Sequence, residues 1–197
     1  MSDPLVIDLD ITTKKVVAVL GKMDKPFAFT GGLAAITYGD PRTTNDVDLI
    51  LEVNPWERDF ADALATLLGD DFYFSIEGCR EAIDEQTMFQ AIDKETMFKV
   101  DFHLSDIVPT ALERRRDEKI MTGRVVPMVS PEDAILSKLY LIKLGSGRSR
   151  KDVVAMLRVQ ETLDNAYLEA TAEQLGVKAI LDNLRQIAES YDPHIIL

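Results

Sequence analysis

The spacing of apolar and polar positions changes several times along the chain, and each change marks an element. Leu5-Val-Ile-Asp-Leu-Asp-Ile11 alternates closely enough to predict a strand or an extended lead-in. From about Thr12 to Met23, residues Val16, Val17, Leu20 and Met23 recur at helical spacing, which predicts a helix burying these four. Phe27-Ala-Phe29 predicts a short buried strand, residues 32–38 a helix, Asp40-Pro41 a turn, and residues 47–53 a second, inward-running strand. Pro55 suits the first turn of a helix reaching about Leu68, where its missing N–H is not needed. Gly69-Asp70-Asp71 ends that helix, residues 72–76 read as a strand, and residues 79–85 form at best a short helix. Residues 87–92 and 95–104 then predict a hairpin around Asp93-Lys94. Pro109 opens a helix carrying Arg114-Arg115-Arg116, and residues 124–129 return as a strand or extended connection.

From there on the pattern is helical only, over residues 131–144, 149–160, 164–175 and 177–191. Ser130-Pro131-Glu132-Asp133 is a helix start, with a capping hydroxyl, proline at the first position and acids in the first turn. The predicted class is therefore α/β (α+β): a small mixed sheet with flanking helices in residues 1–129, then a helical C-terminal lobe, residues 130–197, forming the other wall of a cleft. No internal repeat or low-complexity segment interrupts this plan.

Composition narrows the functions. The 197 residues are 46% hydrophobic and 28% charged, enough for a real core in one unit or two small lobes. A net charge of −12, with no long Lys/Arg run, argues against broad capture of DNA or RNA. No apolar run approaches the roughly 20 residues a membrane helix needs, and the start lacks a signal-peptide pattern. Cys79 is the single cysteine, which excludes an intramolecular disulfide and a cysteine zinc site. The expectation is a cytoplasmic protein with no membrane partner. Cys79, Trp56 and His194 carry no further signal.

The candidate chemistry lies between Phe29 and Leu49. Alternate residues of a strand share a face, so Asp46 and Asp48 point one way while Val47 and Leu49 enter the core. Their Cα atoms are then roughly 6.6 Å apart, close enough for both carboxylates to converge on one ion. Paired carboxylates repel, by about 4 kcal/mol at ~4 Å and an effective dielectric near 20. A hard divalent ion such as Mg²⁺ relieves this and leaves room for substrate phosphates. Gly31 and Gly32 let bare N–H groups approach a phosphate at a helix N-terminus. In the second hairpin strand Phe98, Val100, Phe102 and Leu104 alternate with Lys99, Asp101 and His103, so Asp101 leaves the core face with those two neighbours. Lys138 interrupts the apolar stripe of Ala134, Leu141 and Ile142 and either snorkels to the rim or reaches into the cleft. Arg42 either touches a phosphate or pairs with a nearby acid. The Arg114–Arg116 run reads as an exposed face and His103 as a structural histidine.

Thr30-Gly31-Gly32, thirteen residues and then Asp46-Val47-Asp48-Leu49, with the Arg42-Thr43-Thr44 lead-in, resembles the nucleotidyltransferase superfamily built on the DNA polymerase β-like catalytic fold. Within it the chain is similar to the minimal and abortive-infection-toxin enzymes. The resemblance implies an in-line displacement at the α-phosphorus of a nucleoside triphosphate such as ATP. A two-ion Mg²⁺ site would be held by Asp46, Asp48 and Asp101, with Asp101 as the third carboxylate and a proton acceptor. Thr30, Gly31, Gly32 and Arg42 would bind phosphate, and Lys138 with Lys151-Asp152 would match the lysine and Lys-Asp helices of the toxin-type enzymes. Many relatives have Ser where this chain has Gly32, which leaves the backbone amides to serve there. The acceptor is open between a small molecule and a protein, with tRNA the least favoured, and the resemblance implies an antitoxin-like partner. A silent member that binds nucleotide or a partner without turnover is the alternative.

A competing signature opens the chain. Leu5-Val-Ile-Asp8-Leu-Asp10-Ile-Thr12 resembles the first motif of haloacid-dehalogenase-type phosphohydrolases, and Thr30-Gly31 and Asp70-Asp71 imitate later ones. That chemistry needs a lysine to steady the phosphate, and none lies between Thr30 and Asp70.

Overall fold

The computed structural model describes residues 4–57 and 59–190, the side chains of residues 4 and 5 excepted. A seven-stranded mixed sheet runs through its centre in the order β3-β4-β5-β2-β1-β7-β6. The strands are β1 (Phe27–Phe29), β2 (Asp46–Leu51), β3 (Phe72–Phe74), β4 (Met88–Asp93), β5 (Lys99–His103), β6 (Arg116–Lys119) and β7 (Val125–Met128). Helices α1 (Pro4–Leu20), α2 (Gly31–Tyr38), α3 (Asp59–Leu68) and α4 (Ile76–Glu85) are interleaved with them. Helices α5 (Pro131–Lys143), α6 (Arg148–Val159), α7 (Asn165–Gln174) and α8 (Lys178–Glu189) follow. No helix among the described residues is long and apolar enough to cross a membrane.

Central β2 pairs antiparallel with β1 and parallel with β5, and β4 and β5 form the expected hairpin. Val47, Leu49 and Leu51 are fully buried on one face of β2. Buried side chains form one continuous cluster from Leu9 in α1 to Leu184 in α8. Tyr38, at the end of α2, fastens sheet to helices: its hydroxyl donates to the Val129 carbonyl at 2.8 Å, and its own carbonyl accepts from Gln160 Nε2 at 2.8 Å. Ser130 caps α5 as its sequence predicts, its hydroxyl accepting from the Asp133 N–H.

Four expectations need correction. Residues 5–11 are not extended but belong to α1, a single helix from Pro4 to Leu20. Leu9, Thr12, Thr13, Val16 and Leu20 are all buried, and their spacing is helical across the point where a strand was expected to end. Asp8 and Asp10 are therefore helical residues, and Asp10 is held by the Arg124 guanidinium at 2.9–3.0 Å. That removes the strand on which the phosphohydrolase motif depends. Pro55 lies in a turn, and α3 begins only at Asp59. Ile76 begins α4 instead of ending β3, because the Ser75 hydroxyl caps the helix by accepting from the Gly78 N–H. No regular helix follows Pro109: Thr110 sits at φ +74°, which a helix cannot contain, and Arg116 opens edge strand β6. The end of the last predicted helix, residue 191, and His194 lie outside the described residues.

Candidate active site

The site forms where β1 ends, α2 begins and β2 meets β5. Thr30, in extended conformation, leads into α2, and its N–H donates to the Asp48 carbonyl at 2.9 Å, which locks the glycine corner to the carboxylate strand. Gly31 has φ +59°, and a Cβ there would lie 2.0 Å from Asp48 Oδ2. Only glycine fits. A Cβ on Gly32 would lie 2.4 Å from the Thr44 hydroxyl, so Thr44 fills the space that a side chain at this position would need.

Asp46 and Asp48 share a face of β2, and the parallel register sets Asp46 opposite Lys99 and Asp48 opposite Asp101. The three strand carboxylates thus reach one patch of the sheet, as the phasing of β5 implies. Each has local partners. Asp46 Oδ1 accepts from Thr44 Oγ1 at 2.7 Å, and Asp48 Oδ2 accepts from the Gly32 N–H at 3.3 Å. Asp48 Oδ1 lies 3.6 Å from His103 Nε2. Asp101, with a side chain only 10% exposed, has Oδ2 at 3.0 Å from Lys99 Nζ, while its Oδ1 is buried with no partner. As the side chains lie, no group of three or more His, Cys, Asp or Glu among the described residues could hold a metal ion.

Charges follow from this geometry. Burial pushes the Asp48 carboxyl up, but the His103 and Gly32 contacts, with the Lys138 charge, more than offset it and hold the group below the usual carboxylate range. The Asp101 contact raises Lys99 above the ordinary lysine value despite some burial, and the charges of Asp46 and Asp48 add to this.

A cleft of about 260 Å³ opens beside Asp48, lined by Thr30, Gly31, Asp48 and His103 on one side and by Ser137, Lys138 and Leu141 of α5 on the other, while Asp46 and Asp101 are not among its lining residues. Such a volume lies under the ~300–1,000 Å³ typical of enclosed ligand sites. Lys138 faces this cleft instead of snorkelling outward: its side chain is 12% exposed, and Nζ lies 3.1 Å from Asp152 Oδ2. Arg42 takes the same carboxylate from the other side, with Nε to Oδ1 at 2.8 Å and Nη2 to Oδ2 at 2.9 Å. Burial alone would raise Asp152, but the two cations hold it below its ordinary value. Arg42 is therefore paired with an acid in this structure, and Lys151 stands exposed on α6, outside the cleft lining. Removing Asp152 leaves two half-buried cations facing each other. Asp152→Ala is expected to cost about 2–4 kcal/mol, read as a lower urea midpoint, whereas Asp152→Asn costs less than half of that.

Sequence reasoning set His103 aside and missed Asp106. His103 becomes visible only through the β2–β5 register, which sets it beside Asp48. Asp106 lines the cleft from the loop after β5; its Oδ1 accepts from the Val108 N–H at 2.9 Å, and its Oδ2 is buried without a partner. Burial pushes this carboxyl up to about 6, the nearby Asp133 charge adding to the shift. An acid raised on folding stabilises the protein most while protonated, so its contribution is full below about pH 4 and is lost as pH rises to about 6. Asp106→Asn is expected to flatten that slope and to be about 1–3 kcal/mol more stable than wild type at pH 7.5, measured by urea melts at pH 4.5 and 7.5. The Arg114–Arg116 run is not one exposed helical face. Arg114 stacks on Tyr167, 3.7 Å from the ring centre, and faces Glu132 and Asp133.

Comparison with known proteins adds three solved structures of similar fold. An antigenic nucleotidyltransferase-like protein from Paracoccidioides brasiliensis superposes with TM-score 0.52 at 22% identity, over 89% of this chain and 91% of its own. The solution structure of the antibiotic-resistance factor ANT(2'')-Ia gives 0.50 at 17%, over 90% and 89%. JHP933 from Helicobacter pylori gives 0.55 at 14%, over 98% and 83%. No curated protein matches the chain in sequence. The family model described as nucleotidyl transferase AbiEii toxin, type IV toxin–antitoxin system, matches residues 16–189. That span holds the glycine corner, the three strand carboxylates and the helices of the opposite wall, and the chain belongs to the AbiEii family of nucleotidyltransferase toxins.

Proposed function

We propose that this nucleotidyltransferase uses Mg²⁺ to move a nucleoside monophosphate from a triphosphate to an acceptor hydroxyl. The observation that carries the reading is the pairing of Asp48 with Asp101 across β2 and β5, directly beside a glycine corner that tolerates no side chain. The donor types suit a hard divalent ion, since all three groups are carboxylates and Asp101 keeps one buried oxygen with no hydrogen-bond donor, but their side chains would have to turn to meet on one ion. Asp46, Asp48 and Asp101 would hold the ion. When bound, it would neutralise charge on the phosphate oxygens and polarise the bond being broken.

The remaining work falls to the chain itself. The N-terminus of α2 would turn the positive end of its dipole toward an incoming phosphate, with the Gly32 N–H already given to Asp48 Oδ2. Lys138, held by Asp152 on the facing wall, adds a fixed positive charge where negative charge builds on the leaving pyrophosphate. Asp101 would take the proton from the acceptor hydroxyl as its oxygen attacks the α-phosphorus.

A net charge of −12 disfavours a large polyanion, so a small molecule or a protein is the expected acceptor ahead of tRNA. The reading places the activity in the cytoplasm, where one buried free cysteine is undemanding, and under the restraint of an antitoxin partner. The test is incubation of the protein and a cell extract with each α-labelled nucleoside triphosphate. Label should move to an acceptor in a Mg²⁺-dependent way that EDTA and Asp46→Ala both abolish. Transfer that survives Asp46→Ala would overturn the assignment.

A further inference from the structure

Four side chains mark the corners of one patch on the sheet: Asp46 opposite Lys99, and Asp48 opposite Asp101. The patch thus carries three negative charges and one positive, and the ammonium rests 3.0 Å from Asp101 Oδ2. The two partners differ in freedom. Lys99 is 41% exposed on a flexible four-carbon stem, whereas the Asp101 side chain is 10% exposed and fixed in the middle of the sheet. A second cation arriving at Asp101 therefore meets a neighbour that can swing into water while the carboxylate stays. We propose that Lys99 is a built-in counter-ion, which holds the three carboxylates together in the metal-free protein and competes with Mg²⁺ for Asp101.

This inference rests on the reading of Asp46, Asp48 and Asp101 as the residues that hold the metal. It extends that reading by making one lysine of the chain the group that sets metal affinity. Lys99 acts through Asp101 and is a positioning residue. A merely structural lysine would leave metal affinity unchanged or weaken it on removal; a competitor strengthens it.

The experiment is a calorimetric titration with MgCl₂ alone, paired with melting curves in EDTA and in MgCl₂. It compares wild type, Lys99→Gln and Lys99→Arg, with Lys99→Met as a second neutral variant that keeps the stem. The neutral variants are expected to bind Mg²⁺ at least about fivefold more tightly than wild type, within the usual span of coupling between two sites. They should also melt below wild type in EDTA and recover in MgCl₂, while Lys99→Arg stays near wild type in both. Neutral variants that bind Mg²⁺ no more tightly than wild type overturn the counter-ion and leave the metal reading standing. Absence of Mg²⁺ binding in wild type and neutral variants alike overturns the metal reading and the counter-ion with it.

Discussion

Asp101→Asn is expected to fold as well as wild type and to transfer nucleotide at least about a thousandfold more slowly. The stability half follows from the surroundings. Asparagine has the same shape, its amide oxygen can still accept from Lys99 Nζ, and loss of one negative charge beside Asp48 relieves repulsion. The activity half follows from charge. A neutral amide binds a hard cation poorly and cannot take a proton from a hydroxyl, so two functions vanish together. Losses of about 10³ are usual when charge stabilisation is removed at a reacting centre. Steady-state transfer of α-label, with a melting curve on the same preparation, checks both halves. A variant that keeps more than a tenth of the activity would remove Asp101 from the site.

Gly31→Ala is expected to damage both stability and rate, through one atom. At φ +59° an alanine costs about 1–2 kcal/mol in backbone strain alone. Its Cβ would then stand 2.0 Å from Asp48 Oδ2, far inside contact distance, and the carboxylate must turn away. Displacing a positioned group by about 1 Å typically costs ~10²-fold in rate, and that is the expected loss here. The matching control is Gly69→Ala, at φ +53° with nothing within 4 Å of the new Cβ, which should lower stability and leave the rate unchanged. Equal rates for the two variants would show that the corner is strained but serves no chemistry.

Much of this arrangement is legible in the order of residues alone, and the reasons are local. The strand of Asp46 and Asp48 and the outward phase of Asp101 both follow from strict two-residue alternation, which survives folding because one face is buried. The helical second half is equally plain, since Ser130-Pro131 announces its start. What escapes is decided by distant contacts. The first turns of α1 alternate well enough to pass for a strand, and only burial of Leu9 with Thr12 and Thr13 settles the matter. Arg116-Asp-Glu-Lys119 carries no strand signal because it is a charged edge, where polarity guards an open ladder. His103 gains meaning only from Asp48 on β2, which no spacing within β5 could reveal, whereas spacing alone sets Lys99 on the face of Asp101. Asp106 owes its displaced titration to a cleft built from several elements.

Arg42 grips a carboxylate 110 residues further along the chain. A ribosome releases the glycine corner and both acidic strands long before Asp152 emerges, so a growing polypeptide has its anionic half in hand while the opposing basic wall is still missing. Order of synthesis thereby becomes order of assembly, and a partly made copy of this toxin carries an incomplete pocket.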